Sequence, residues 1–150
     1  MTTDTNKFQN INLQLQSLLE NLKDTNNNPV FESVLLGIPN NDFRGYRFPI
    51  AIVRLVEGRY ATNTFNKRNT PEWIHTSIGI FCTGDMQESY MQAMQIMDNI
   101  QEHFETDKNW ITLNNTVRLT EIEQSLVNDI PTDEILMRIV VFNLKHHVYK

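Results

Sequence analysis

The amino-acid sequence predicts an α+β fold: a single mainly antiparallel or mixed sheet of about five strands, covered by two amphipathic helices. Three observations carry this. In residues 72–82, Ile74, Ile78, Ile80 and Cys82 fall at even positions, which the period of two in a strand sends to one face. Two other stretches repeat apolar residues at spacings of three and four: Phe8, Ile11, Leu15, Leu18, Leu19 and Leu22, then Tyr90, Ala93, Met94, Met97, Ile100 and Phe104. Each makes a helical stripe wide enough to lie on a sheet. Finally, the order of elements is helix, three strands, helix, two strands, with hairpin-like neighbours on both sides of the second helix.

The first stripe gives a helix over residues 4–24. The run Asp24-Thr25-Asn26-Asn27-Asn28-Pro29 stops it, because proline cannot continue a helix and asparagine favours turns. Residues 30–36 read as a first strand, followed by a turn-rich stretch from Gly37. Pro49 opens a second strand over residues 50–57, ended by Gly58. Its first four residues are apolar on both faces, which suits a central position. Strict alternation then points Arg54 and Glu57 opposite ways. Residues 59–71 carry the least pattern and read as an extended loop or a hairpin arm. With Tyr60 and Phe65 among basic residues, this stretch is the leading assembly contact. After strand 72–82, Thr83-Gly84 breaks the run, and Asp85 with Glu88 forms a capping box for a helix over 85–105. Residues 116–122 read as a strand and residues 123–133 as a polar connection. Residues 135–144 form the most apolar strand, expected at the centre of the sheet.

A chain of 150 residues is most simply one domain, spanning 1–150, and that length buries roughly 68–70% of the unfolded surface without staples. No apolar run approaches the ~20 residues that cross a bilayer, and the first residues lack a signal-peptide pattern. Cys82 is the only cysteine. It cannot form an internal disulfide, and its place on the apolar face reads as a small buried hydrophobe of a protein in a reducing cytoplasm. Net charge is −5, which argues against general nucleic-acid binding. Its distribution is uneven. Residues 42–68 hold six basic and two acidic side chains, whereas residues 85–134 hold eleven acids against Lys108 and Arg118. A subunit with a basic and an acidic side can join head to tail with copies of itself, and such contacts close into rings. Solvated faces, or a basic loop along a nucleic-acid path, are the other readings of the same pattern.

Chemistry does not emerge. The five glycines stand isolated at 37, 45, 58, 79 and 84, so no Gly-rich phosphate loop is formed. One cysteine and four scattered histidines do not supply a zinc site. His146 and His147 are adjacent and point to opposite faces of a strand. His75 and His103 read as surface or boundary residues, and no serine has a nucleophile-elbow context. Glu121 and Glu123 share a strand face and read as solvated carboxylates. The sequence therefore predicts no enzyme, no catalytic residue, no cofactor and no metal.

Several stretches together resemble one family. They are the leading helix ending in Asn28-Pro29-Val30-Phe31, and Tyr46-Arg47-Phe48-Pro49-Ile50-Ala51-Ile52-Val53 leading into a strand. To these add Ile78-Gly79-Ile80-Phe81 running into the helix with Ala93, Met97 and Ile100, and the closing Ile139-Val140-Val141-Phe142-Asn143-Leu144. The chain resembles the tail terminator proteins of long-tailed bacteriophages, also called tail-completion or head-to-tail joining proteins. The resemblance covers nearly the whole chain at the level of pattern. It implies a small α/β structural protein of the virion tail-neck, without catalytic residues, assembled in the host cytoplasm. Such proteins form a ring, typically hexameric, that caps the tail tube, stops its growth and joins tail to head. The implied partners are further copies of the chain, the tail-tube protein and a head connector or stopper, with DNA passing through the lumen; no membrane is involved. Another neck or baseplate protein, or a small intracellular nucleic-acid-binding or regulatory domain, is the alternative. The charge pattern, rather than any family motif, selects Arg54, Arg59, Tyr60, Phe65, Lys67, Arg68, Glu102 and Glu105 as interface residues.

Overall fold

The computed structural model describes residues 7–37, 46–60, 71–83, 86–131 and 136–149. Its elements are helix α1 (Lys7–Glu20), strands β1 (Ser33–Leu36), β2 (Ile50–Tyr60) and β3 (Pro71–Thr83), helix α2 (Met86–Thr106), the single-turn helix α3 (Lys108–Ile111), and strands β4 (Leu119–Pro131) and β5 (Leu136–His147). One five-stranded sheet has the order β1-β2-β3-β5-β4. The β1–β2 pair is parallel and the other three pairs are antiparallel. The expected α+β class, with one mixed sheet and two amphipathic helices on it, is what the chain adopts.

Alternation decides which face the helices cover. Ala51 and Val53 of β2, Ile74, Ile78, Ile80 and Cys82 of β3, and Val140, Phe142 and Leu144 of β5 form one buried cluster. They pack with Ile11, Leu15 and Leu19 of α1 and Ala93, Ile96, Ile100 and Phe104 of α2. α1 lies against β1 and β2; α2 lies against β3, β5 and β4. Both helices are therefore on one face, and the alternate strand positions look the other way. The Cys82 thiol sits in this cluster, and burial pushes its pKa up to about 11, so it is the inert hydrophobe the sequence suggests. Phe104 and Trp110 close the end of α2 edge to face, with ring centroids 5.1 Å apart.

Several boundaries differ from the sequence reading. The helix expected over 4–24 ends at Glu20 within the described residues. Asp24 makes the turn that follows, its Oδ1 accepting from the backbone N–H groups of Asn26 and Asn28 at 2.9 Å each. The helix expected over 85–105 runs from Met86 to Thr106; Asp85 lies outside the described residues. On that helix Tyr90 is exposed, and Ser89 and Ile96 hold buried positions instead. Of the arm expected over 59–71, positions 59 and 60 belong to β2 and position 71 to β3; residues 61–70 lie outside the described residues. The polar connection expected over 123–133 is instead largely strand, since β4 continues to Pro131. The physical reason is an irregularity in β4. The register shifts between Ile122 and Gln124, which leaves Glu123 unpaired and flips every later side chain to the other face. Val127 thereby reaches the core at an odd position, and the alternation that a reader looks for is lost.

One polar group sits inside the core. His146, fully buried, has Nε2 2.7 Å from the Thr76 hydroxyl and Nδ1 2.7 Å from the Thr120 hydroxyl. A neutral imidazole has one N–H and one lone pair, so one threonine accepts and the other donates. The ladder ties β3, β5 and β4 together on the helix side. Burial, with smaller contributions from His75 and His147, lowers the His146 pKa to about 3. The native state holds this ring neutral while the unfolded chain protonates it below about 6.5. Unfolding free energy is therefore unaffected by this group above that pH and falls below it, by at most about 1.4 kcal/mol per pH unit, levelling off near the native value. Denaturant melts of the wild type and of His146→Gln between pH 7 and pH 4 should show the wild type losing more stability over that window; parallel curves would remove His146 as the cause.

Candidate functional site: an open, charged sheet face with two free edges

The face of the sheet away from the helices is where the polar groups converge. Pairing sets them out in rows. Glu121 stands opposite Lys145, Lys145 opposite His75, and His75 opposite Glu57, so one row crosses β4, β5, β3 and β2. The neighbouring row is Leu119, His147, Trp73 and Arg59. Towards the C-terminal end of β3 the same face turns apolar, with Leu126, Val141, Gly79 and Ile52 in one row and Ile139, Phe81 and Ile50 in the next. Gly79 leaves space there for the Phe81 ring, whose Cε2 lies 3.4 Å from where a Cβ would stand.

Two bulges assemble the charged half. In β2 the register shifts between Leu55 and Glu57, so Val56 is the extra residue and Glu57 takes its place opposite His75. This corrects the expectation from alternation: Arg54, opposite Ser77, and Glu57, opposite His75, share one face. In β4 the unpaired Glu123 swings its carboxylate across β5. The result is an imidazole flanked on both sides. His75 Nδ1 lies 3.0 Å from Glu57 Oε1. A carboxylate can only accept, so Nδ1 carries the hydrogen. His75 Nε2 lies 2.9 Å from Glu123 Oε1 without hydrogen-bond geometry, so the two form an ion pair only when the imidazole is protonated. His147 Nε2 and Glu121 Oε2 stand similarly at 3.4 Å. Lys145 places its Nζ 4.5 Å from the centre of the Trp73 ring, a cation–π contact worth about 0.5–1 kcal/mol at an exposed site.

The residues selected from sequence are distributed unevenly. Arg54 is exposed on β2. Arg59 and Tyr60 occupy its last two positions, opposite Trp73 and Pro71. Glu102 and Glu105 are exposed on α2, in the other layer. Phe65, Lys67 and Arg68 lie outside the described residues. The structure thus gathers Arg54 and Arg59 on one strand and leaves the two glutamates on a separate element. His75, Lys145, Trp73, Glu57 and His147 were not selected. Their signal lay in the odd positions Trp73, His75 and Ser77 between buried isoleucines; the bulges that bring carboxylates to them leave no mark in the sequence.

Among the described residues, the contacts on this face include the His75–Glu57 hydrogen bond, the histidine–carboxylate pairs and the Lys145–Trp73 contact. Among the described residues no group of three or more His, Cys, Asp and Glu side chains is disposed to hold a metal ion. An open groove of about 500 Å³ along α2 is lined by Gln87, Glu88, Met91, Gln92 and Gln95, all on one helix. No helix among the described residues is long and apolar enough to cross a membrane. No protein-family model matches the chain, and no curated protein matches it.

The sides of the sheet differ in charge. On one side are β4, with Glu121 and Glu123 and no lysine or arginine, and α2, with Glu88, Asp98, Glu102 and Glu105 and likewise no lysine or arginine. On the other is β2, whose last half carries Arg54 and Arg59 around Glu57. The Glu57–His75 contact is half-exposed, and a double-mutant cycle with Glu57→Gln and His75→Ala should give a coupling of roughly 0.2–1 kcal/mol in chemical denaturation. Additive losses would mean that the bulged carboxylate contributes nothing to holding β2 on β3.

Proposed function

We propose that the chain is a structural virion protein of the tail-terminator kind, a subunit that closes into a ring on the end of a phage tail tube, stops tube growth and presents a docking face to the head. The observation that supports this most is the two-sidedness of the sheet. The acidic elements β4 and α2 lie on one side of the subunit and the arginines of β2 on the other. A surface that is complementary to its own opposite side, and not to itself, favours head-to-tail contacts, which close into rings. Like-charge juxtaposition suppresses the competing face-to-face pairings. The resemblance of the strand and helix segments to tail terminators adds the partner: the last ring of tail-tube protein on one side, the head connector or stopper on the other, and DNA passing through the lumen. In this reading no side chain performs chemistry. The protein acts by occupying a tube end and by its ring geometry, in the tail-neck of the particle.

The test is tube length. The cognate tail-tube protein is polymerised with and without the chain and examined by negative-stain microscopy. The proposal expects shorter tubes with an added ring of density at one end when the chain is present. Tubes of unchanged length with bare ends would contradict it.

A further inference from the structure

Besides the outer edge of the short β1, two stretches of strand edge have no strand beside them among the described residues. β1 covers β2 only from Ile50 to Val53, and Gly37 N–H, donating to the Val53 carbonyl at 2.9 Å, is the last bond of that edge. Residues 54–60 continue β2 beyond this step. At the other side, β4 pairs with β5 along one edge over its whole length and has no strand on the other. A strand edge presents a row of unpaired N–H and C=O groups, a template for another strand. Both edges also expose apolar side chains: Leu55 (44%) and Val56 (58%) on β2, Leu119 (38%) and Leu126 (37%) on β4. The helices leave both places uncovered, since residues 54–57 and 123–126 are exposed whichever way they point.

The charges sort the pairings these edges admit. Residues 54–60 of β2 hold two arginines and Glu57, whereas residues 119–127 of β4 hold Glu121 and Glu123 and no base. Of the pairings among these edges, β2 against β4 joins the largest excess of unlike charge. Direction agrees. The pairings run β2 antiparallel to β3, β3 to β5 and β5 to β4, so β2 and β4 are antiparallel within the chain. A rotation about an axis along the strands preserves that, so the seam between successive subunits is antiparallel like the rest of the sheet.

We propose that residues 54–60 of one copy pair edge to edge with β4 of the next, so that the sheet continues from subunit to subunit and the strand positions of Arg54 and Arg59 lie beside those of Glu121 and Glu123 across the seam. This rests on the ring reading and supplies its interface. β1 ends where the seam begins, so the step it leaves is the socket for the neighbour's β4.

Two charge-reversed chains test the seam. One carries Arg54→Glu and Arg59→Glu, the other Glu121→Arg and Glu123→Arg, each checked for native circular dichroism. The proposal expects each alone to assemble roughly tenfold or more weakly than wild type in light scattering, and an equimolar mixture to recover the wild-type mass, because unlike edges then alternate. Amide exchange on the unmodified chain serves if a reversed chain does not fold. Residues 54–60 and 119–131 should slow on assembly. Reversed chains that assemble as wild type does, or a wild-type assembly in which those amides keep their rates, would overturn the seam and leave the ring reading standing. A wild-type chain that is monomeric at every concentration also overturns the seam as a route of self-assembly, while the tube-length measurement separately decides the ring.

Discussion

The pairing of β3 with β5 holds eleven consecutive residues in register, from Trp73 with His147 to Thr83 with Met137. The rest of the subunit depends on that register. It sends Ile74, Ile78, Ile80 and Cys82 of one strand, and Val140, Phe142 and Leu144 of the other, to the same face. That face is where α1 and α2 find the apolar surface that stabilises them, since amphipathic helices of this length owe most of their stability to packing. A slip of one residue would present Trp73, His75 and Ser77 to the helices and Ile74 and Ile78 to water. The buried Thr76–His146–Thr120 ladder reinforces the same register. Slippage of β3 would take Thr76 from the ring and leave one buried imidazole nitrogen unpaired, which costs about 1–3 kcal/mol.

The register also explains the open face. With both helices on one side, the polar alternates gather on the other, and two bulges re-aim their neighbours. The bulge at Val56 brings Glu57 opposite His75, and the one at Glu123 frees a carboxylate to reach the same ring. Bulges are common at sheet edges, where they increase twist and change the facing of side chains. Here one lies in β2 and one in β4. The charged network therefore spans β2, β3, β5 and β4 on the face away from the helices.

Much of this was legible in the residues. The β3 alternation, the isoleucine-rich β5 and the stripes of α1 and α2 are long and periodic, and they gave the fold class. What escaped had local physical causes. β4 beyond Ile122 loses its alternation at the bulge, and its residues 123–126 are exposed, so it reads as a connection. Tyr90 lies on the helical spacing of the α2 stripe yet faces water, because a stripe's width is set by what packs against it and not by period alone. Of the surface, the division into basic and acidic segments was visible, and the fold turns it into a basic β2 and an acidic β4 and α2. The His75 cluster was invisible, since its members come from four strands and meet only through register.

The central claim is that opposite charges on two sides of one sheet make the chain its own partner. Sedimentation at increasing concentration and at low and high salt tests it most directly. Assembly into a discrete closed oligomer that weakens as salt rises is the predicted result, because exposed charges are screened beyond roughly 10 Å at 0.1 M salt. A monomer under all these conditions, or an oligomer indifferent to salt, would contradict it.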